Sequence, residues 1–288
     1  MTDVLLHCPH FYGFDEVYEQ FLELSADKVR ANTKLYAAYG CFPGQLWNGG
    51  RSFHINKVDK SEIEKTFDKY DELGIKVELT FNNKLIKGDL LKDDYCNYIA
   101  SAANERSLMC IIASKELEHY LRDKFTKLKF KRSCICCVDD EPDYDIENYD
   151  MTVLNQFKSC DLELLNNIPE DKRHKVEIIV NAECADNCKM FKLHHDFCAE
   201  VQLYGDSEVK FKCPISDKLL NPIPLIENTN HYISPEKCHL FADELSYEHF
   251  KLVGRNDIKQ CLHGISNYYL KNIDLNFMRK LYDITYQR

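Results

Sequence analysis

The feature that most constrains the fold is the regular alternation of short apolar runs with helical segments. Runs rich in β-branched and aromatic residues recur along the chain, and most are separated by segments with apolar residues three and four apart. The predicted strands are residues 4–8, 34–39, 76–81, 108–113, 129–136, 151–154, 175–180 and 250–253. The predicted helices are residues 15–24, 60–73, 89–103, 115–123, 161–166, 191–203, 257–270 and 276–286.

Alternating strands and helices predict a parallel sheet, and eight such units are the number that closes a TIM-like (β/α)8 barrel. The 288 residues then form a single barrel domain, residues 1–288. An open doubly wound sheet is the alternative. Residues 181–249, between strands seven and eight, are too many for an ordinary crossover. Long insertions of this kind are usually functional, so we expect this one to carry the site.

The composition limits the function classes. The chain is 44% apolar and 29% charged, and no stretch approaches the roughly 20 consecutive apolar residues that span a bilayer. Its N-terminus has neither a basic region nor a sustained apolar run, so we expect a cytoplasmic protein without a membrane partner. A net charge of −10 argues against a broad electrostatic grip on nucleic acid, although a local basic groove stays open.

The 14 cysteines are the most unusual count. Disulfides concentrate in small secreted domains, whereas this chain can bury a large core, so reduced thiols are expected. Most of them should pack in the core, as free cysteine usually does. Cys134, Cys136 and Cys137 are assigned to the core because strand alternation would point Cys134 and Cys136 to one face and Cys137 to the other.

Polar residues that follow the predicted strands are candidates for the active-site face of a barrel. Strand two leads into the only Trp, Asn48, a Gly-Gly pair and Arg51, whose planar fork suits a carboxylate or phosphate. Asn82 follows strand three, and Arg255 follows strand eight at a place where such barrels often bind anions. The alternatives are helix capping for Asn82 and a surface ion pair for Arg51. Lys251 is expected to be a buried ion-pair partner rather than a catalyst.

The strongest signal follows strand seven. Cys184 and Cys188 are four residues apart, so their sulfurs can share one metal, and Cys198, Cys213 and Cys238 lie downstream. Sulfur ligands suit zinc or an iron–sulfur cluster, and the spacing does not choose between them. Chance spacing in a cysteine-rich chain is the alternative. His194 and His195 are alternative ligands or acid–base groups. No serine-hydrolase, zincin or nucleotide-binding motif is present.

Four segments together resemble the collagenase-like peptidases, family U32. They are YGCFPGQLWNGGR, ELTFNN, VNAECADNCKMFKLHH and NHYISPEKCHLFADELSYEHFKLVGR. The resemblance implies a TIM-like barrel and, in several branches, a 4Fe-4S cluster held by four cysteines. Those branches include proteins of oxygen-independent hydroxylation of the ubiquinone ring, tRNA wobble uridine or ribosomal RNA.

The family's ligand set is carried over to Cys184, Cys188 and Cys213, with Cys238 as the fourth choice and Cys198 as its alternative. One departure is Phe191, which stands where related segments often have Arg. His194 keeps its relative position. The departure puts in doubt any substrate contact that this Arg makes in the family.

Three functions follow as hypotheses. The first is an iron–sulfur redox enzyme that acts on a small molecule or RNA and has a protein partner for electron transfer. In this hypothesis, Arg51 and Arg255 bind an anionic group of the substrate. The substrate is oriented by Asn48, Asn82 and Asn181. The second is a peptidase-like hydrolase without metal that uses Glu183 and His194 as acid and base. The third is a non-catalytic barrel in which a cysteine-bound zinc ion only stabilises the insertion.

Overall fold

Eight parallel strands close into a barrel. The computed structural model describes residues 2–49, 56–139, 142–213, 215, 226–254 and 257–286. The strands pair in chain order, and the first also pairs with the eighth. They are β1 Val4–Pro9, β2 Thr33–Gly40, β3 Lys76–Phe81, β4 Met109–Ile112, β5 Lys129–Arg132, β6 Met151–Val153, β7 Val176–Ile179 and β8 His249–Lys251. The TIM-like barrel is confirmed and the open sheet excluded, because an open sheet would leave β1 and β8 as unpaired edges.

Helices follow the strands and cover the outside of the barrel. The described residues form nine α-helices, which are α1 Asp15–Leu22, α2 Lys60–Leu73, α3 Asp94–Glu105, α4 Lys115–Lys124, α5 Leu162–Asn167, α6 Phe191–Tyr204, α7 Pro235–Leu245, α8 Ile258–Tyr269 and α9 Leu275–Tyr286. Their starts follow local chemistry. Ser114 and Ser234 accept hydrogen bonds from the backbone N–H groups of Leu117 and Lys237, and Pro235 occupies the first position of α7. Within the described residues, no helix has the length and apolarity needed to cross a membrane.

Strand five is shorter than the sequence predicts. β5 ends at Arg132, and the chain turns into a 3-10 helix at Cys134–Asp139. The alternation expected of a strand does not apply there, so the assignment of Cys134 and Cys136 to the core is wrong. Both side chains are half-buried in the turn, and the Cys136 Sγ lies 3.8 Å from the carbonyl oxygen of Ile112.

The long crossover between β7 and β8 contributes two helices with different positions. The inner face of α7 packs on the barrel wall through Cys238, Phe241 and Ala242, as an ordinary barrel helix does. The other helix, α6, is tied to the loops that follow β2 and β3. Asn83 donates to the carbonyl of Ala199 at 3.1 Å.

Two further contacts hold α6 in place. Gln202 donates to the carbonyl of Gln45 at 3.2 Å, and Lys84 pairs with Asp196 at 2.6 Å. Because these loops leave the carboxyl ends of their strands, α6 covers part of the barrel mouth, where the active sites of such barrels lie.

Candidate active site at the barrel mouth

A cavity of about 90 Å³ opens at the carboxyl ends of the strands. This volume is several times the roughly 10–15 Å³ that one water molecule requires. Its apolar walls are Ile111, Ile135, Val153, Ile179, Phe191 and Val253. Its polar lining is Tyr39, Thr80, Asn82, Ser133, Cys134, Gln156, Glu183, Cys184, His195 and Lys251. Apolar walls with a few converging polar groups are typical of a small-molecule site.

Below the cavity, the barrel interior contains a layer of ionisable side chains. Alternate strands β1, β3, β5 and β7 contribute His7, Glu78, Lys131 and Glu177, and we call these four the ionic layer. Branched apolar residues usually fill such layers in a barrel of this type. Lys131 lies 2.7 Å from both oxygens of Glu78 and also contacts Glu177. The Nδ1 atom of His7 is 3.0 Å from Glu78 and 2.9 Å from Glu177.

The mutual contacts of the ionic layer keep its carboxylates ionised. Burial alone would raise the pKa of Glu78, but Lys131 and then His7 outweigh burial and lower this pKa to about 2. Burial is likewise outweighed at Glu177, where His7, Lys131 and Lys251 hold the carboxyl pKa well below its ordinary value. The pKa of Lys131 is raised, since its two carboxylate partners more than compensate for burial.

Two side chains of β8 continue the network. The Nε2 atom of His7 is 2.8 Å from Nδ1 of His249, whose pKa is lowered to about 3, first by burial and then by the nearby cations. Lys251 reaches from the cavity to Glu177, where Nζ donates to Oε1 at 2.7 Å. The ammonium also lies over the ring of Tyr39, 3.8 Å from its centroid. The expectation that Lys251 is a buried ion-pair partner is met by this contact.

Sequence reasoning missed the ionic layer, although a signal was present. Strands of a parallel barrel are buried on both faces and usually read as continuous apolar runs. His7, Glu78 and Glu177 each interrupt such a run, and in β5, which reads Lys-Phe-Lys-Arg, Lys131 and Arg132 are both buried. A charged residue in the middle of a doubly buried strand requires a buried partner, and four such strands indicate a shared network.

The ionic layer also meets the distance criterion for a single-ion site. In the described residues, one group of three metal-binding side chains has its ligand atoms within 4.8 Å of one another, and it consists of His7, Glu78 and Glu177. The Lys131 ammonium, however, contacts both carboxylates and lies 3.3 Å from His7. The Lys131 ammonium therefore already neutralises the carboxylates that would bind a metal ion.

Gln156 offers a donor to the cavity. Its side chain is only 6% exposed, and its Nε2 atom has no hydrogen-bond partner among the described residues. Buried polar groups are nearly always paired, because an unmade hydrogen bond costs about 1–3 kcal/mol. A ligand with an acceptor atom in the cavity would satisfy this amide.

The two predicted acid–base residues have different positions. Glu183 lines the cavity, whereas His194 does not, and His195 takes its place. Successive residues of a helix point about 100° apart, so only one of two adjacent histidines on α6 can face the mouth. The ring of His194 instead stacks on Phe211, with the ring centroids 4.6 Å apart. The choice of His194 over His195 is therefore corrected.

Among the described residues that were predicted to bind substrate, Asn82 alone lines the cavity. Asn48 is fully buried, and its Oδ1 accepts from the hydroxyl of Thr80 at 2.9 Å. Asn181 uses both ends of its amide on the backbone of Val253, at 2.7 and 3.0 Å. Asn48 and Asn181 therefore connect loops instead of facing the cavity. Arg51 and Arg255 lie outside the described residues.

The sequence suggests that the Gly-Gly pair lets the backbone approach a ligand. At Gly49, the backbone instead approaches another loop of the protein. A Cβ atom there would lie 2.5 Å from the carbonyl oxygen of Asn82. The Gly49 N–H donates to the side chain of Asn82 at 3.0 Å. The missing side chain thus lets the loop after β2 contact the loop after β3.

The cysteines that were predicted as metal ligands have different positions in the structure. Cys184 lines the cavity, and Cys188 and Cys213 are half-buried. Four thiolates on one zinc ion lie about 3.8 Å apart at ordinary Zn–S lengths. No three cysteine sulfurs of the described residues are within 4.8 Å of one another, so these residues do not form that shell.

Cys238 does not suit the role of fourth ligand. It is fully buried on the inner face of α7, and burial raises its thiol pKa well above the ordinary value. The Cys238 side chain belongs to the apolar core of the barrel, so it is placed as a packing residue. Cys198, the alternative, is also buried. The described cysteines thus fit a four-thiolate group only in part, and the assignment of Cys184, Cys188 and Cys213 stays a prediction.

Fold and site together define a (β/α)8 barrel with ionisable groups converging on a mouth cavity. No family model and no curated protein matches the chain. Among solved structures, the U32 peptidase Mk0906 is similar with a TM-score of 0.45 and 11% identity, covering 88% of this chain and 93% of that one. A likeness at this level concerns the fold alone.

Proposed function

We propose that the protein is an enzyme that carries out acid–base or nucleophilic chemistry on a small molecule in the mouth cavity. The observation that carries the proposal is the convergence of Glu183, Cys184, His195 and Lys251 on one cavity with apolar walls. Ionisable groups in a partly desolvated pocket are the usual components of general acid, base and nucleophile roles. The volume of about 90 Å³ favours a small molecule over an extended peptide.

A ligand screen with matched variants tests the proposal. Small neutral carbonyl compounds, amides, carboxylates and dipeptides are tested for their effect on the thermal unfolding midpoint. The Gln156→Leu variant removes the unpartnered donor of the cavity at nearly constant size. Gln260→Leu is the control, because Gln260 is also a buried amide with an unpartnered Nε2 but lines a different cavity.

We expect at least one compound to raise the midpoint of the wild type and of Gln260→Leu, and to have less effect on Gln156→Leu. A compound that stabilises all three proteins equally binds elsewhere. That result, or a screen in which nothing stabilises the wild type, would count against a small-molecule site in this cavity.

A thiolate-bound metal is a second candidate. It is supported by the position of Cys184 in the cavity lining and by the half-buried Cys188 and Cys213. An iron–sulfur cluster there would supply one-electron chemistry next to the substrate and would require an electron-donating protein partner. Zinc would instead be a structural group.

Anaerobic purification followed by iron, sulfide and zinc analysis separates these possibilities. Iron and sulfide with a broad visible absorption band, lost in Cys184→Ser, would support the cluster. Protein that takes up neither iron nor zinc after reconstitution would exclude both. The first proposal does not depend on this outcome.

A further inference from the structure

The barrel contains two buried lysines with different surroundings. Lys131 on β5 contacts both carboxylates of the ionic layer and is fully buried beneath the cavity. Lys251 on β8 contacts one carboxylate oxygen, that of Glu177, and lines the cavity itself. Lys131 is therefore a structural counter-ion, and Lys251 is the amine that a bound molecule would contact.

The charge count of the network points to the same distinction. Glu78 and Glu177 supply two carboxylates, and Lys131 and Lys251 supply the two ammonium groups that contact them. If Lys251 loses its proton, Glu177 keeps its contacts with Lys131 and His7. If Lys131 loses its proton, both carboxylates lose their main cation. The network therefore tolerates a neutral amine at Lys251 far better than at Lys131.

Burial and the charged groups that face Lys251 together lower the pKa of its amine. Burial lowers the pKa of Lys251; Glu177 opposes this shift, and the positive charge of Lys131 adds to it, so the pKa lies below its ordinary value. The Tyr39 ring on β2 contacts the ammonium face, and Glu78 acts from β3 as a more distant carboxylate. Buried lysines with lowered pKa values serve as nucleophiles toward carbonyl carbon.

The cavity favours an uncharged substrate. Lys251 is the one lysine or arginine among the described lining residues, and its charge is already matched by Glu177. Glu183 adds a carboxyl group to the lining. Among the described lining residues, a phosphate or carboxylate would find no lysine or arginine without a carboxylate partner, whereas a neutral carbonyl group could accept the hydrogen bond of Gln156.

We propose that the amine of Lys251 forms a Schiff base with a small neutral aldehyde or ketone bound in the mouth cavity. The inference rests on the proposed function and names its substrate class and nucleophile. The neutral amine attacks the carbonyl carbon; a C–N bond forms as the C–O π bond breaks, and one N–H proton passes to the oxygen to give a neutral carbinolamine. Glu183 or His195, which line the same cavity, protonates the hydroxyl group. The C–O bond then breaks, water leaves, and a protonated imine remains, with no change in oxidation state.

Reductive trapping tests the inference. Native protein is incubated near pH 7 with acetaldehyde or hydroxyacetone and cyanoborohydride, which reduces an imine to a stable secondary amine. Adducts are then located by peptide mapping. We expect Lys251 to be labelled several-fold faster than exposed lysines such as Lys127, with a rate that saturates as the probe concentration rises. Pyruvate, which is anionic, should label Lys251 more slowly.

Two variants keep the result interpretable. Lys251→Arg retains a cation beside Glu177 and should fold, yet it should lose the fast adduct. Gln156→Leu should keep the adduct but require more probe for half-saturation. Labelling of Lys251 no faster than that of exposed lysines, or a fast adduct that persists in Lys251→Arg, would overturn the inference.

The outcomes separate the two proposals. Compounds that stabilise the wild type through Gln156 but give no adduct would leave the proposed function standing and remove the Schiff base. Fast labelling of Lys251 without saturation and without any effect of Gln156→Leu would show a reactive amine that does not serve a binding site, which contradicts both the proposed function and the substrate class.

Discussion

Replacing Lys131 with methionine should destabilise the protein in a manner that depends on pH. The change keeps the length and apolar stem of the side chain but removes the cation that contacts Glu78 and Glu177. The pKa of Glu78 falls from 4.5 in the unfolded chain to about 2 in the barrel, which corresponds to about 3 kcal/mol of folding free energy at neutral pH. Breaking a fully buried ion pair by removing one partner typically costs about 3–5 kcal/mol. We therefore expect a loss of about 3–5 kcal/mol at pH 7.

The sign of the pH dependence distinguishes electrostatics from lost packing. In the wild type, the contribution of Glu78 is present above pH 4.5 and is lost as the pH falls through about 2. In the Lys131→Met variant, two buried carboxyls face each other without their cation, so one of them has a pKa raised above its unfolded value. A raised carboxyl pKa penalises the folded state at high pH and not at low pH. The gap between variant and wild type should therefore shrink as the pH falls from 7 toward 4.5.

Urea denaturation measures this gap, with Trp47 as a probe. It is the only tryptophan of the chain and is fully buried, so its fluorescence reports loss of the core. Coincident circular dichroism transitions would confirm two-state behaviour. Lys69→Met is the control, since Lys69 pairs with Glu19 at the surface, and its effect should be small and independent of pH.

Adding Glu78→Gln to Lys131→Met should restore part of the lost stability, because it removes one of the two unbalanced charges. A loss no larger than that of the control, or a gap that widens as the pH falls, would refute the account of the ionic layer.

Three further predictions concern single sites. Gly49→Ala should lower the free energy of unfolding by about 1–3 kcal/mol, measured by urea denaturation, because the new methyl group would meet the backbone of Asn82. Cys238→Ser should lower the free energy of unfolding by about 1–3 kcal/mol in the same assay, because it buries an unpaired hydroxyl group. The amount of any bound iron or zinc should not change. Loss of metal from this variant would instead indicate that Cys238 is a ligand. The pKa of His249 is lowered from 6.5 to about 3, so its contribution to stability is full above pH 6.5 and declines as the pH falls. His249→Gln should therefore lose less stability than the wild type between pH 6.5 and 5. Parallel plots of unfolding free energy against pH for the two proteins would contradict this.

The fold was predictable because its signals are local. Strand β3 and helix α2 have the bounds that apolar periodicity predicts, and Ile63, Phe67 and Tyr70 on one stripe of α2 are buried. The prediction failed at β5, which ends at Arg132; the residues that follow form a 3-10 helix, and Cys134 and Ile135 line the mouth cavity. Closure of the barrel followed from the number of strands, since eight strand–helix units are what a barrel requires.

The site was less predictable because its contacts are distant in sequence. Glu78 meets Lys131 across 53 residues, and Glu177 meets Lys251 across 74. Cys184 and Cys238 look alike in the sequence, yet one lines the cavity and the other packs inside α7, a difference that only burial reveals. His194 and His195 are both half-buried, and which of the two lines the cavity depends on the rotation of α6 about its axis.

The ionic layer has a role that packing alone does not explain. Replacing a buried ion pair by apolar side chains of similar volume is often neutral or stabilising, so charge in this layer is not needed to fill the barrel. What the charges achieve is local to the cavity. Glu177 anchors Lys251 at the cavity floor, and burial, opposed by Glu177 and assisted by the positive charge of Lys131, lowers the pKa of Lys251. In the proposed Schiff-base chemistry, these groups would hold the amine of Lys251 toward the bound carbonyl compound.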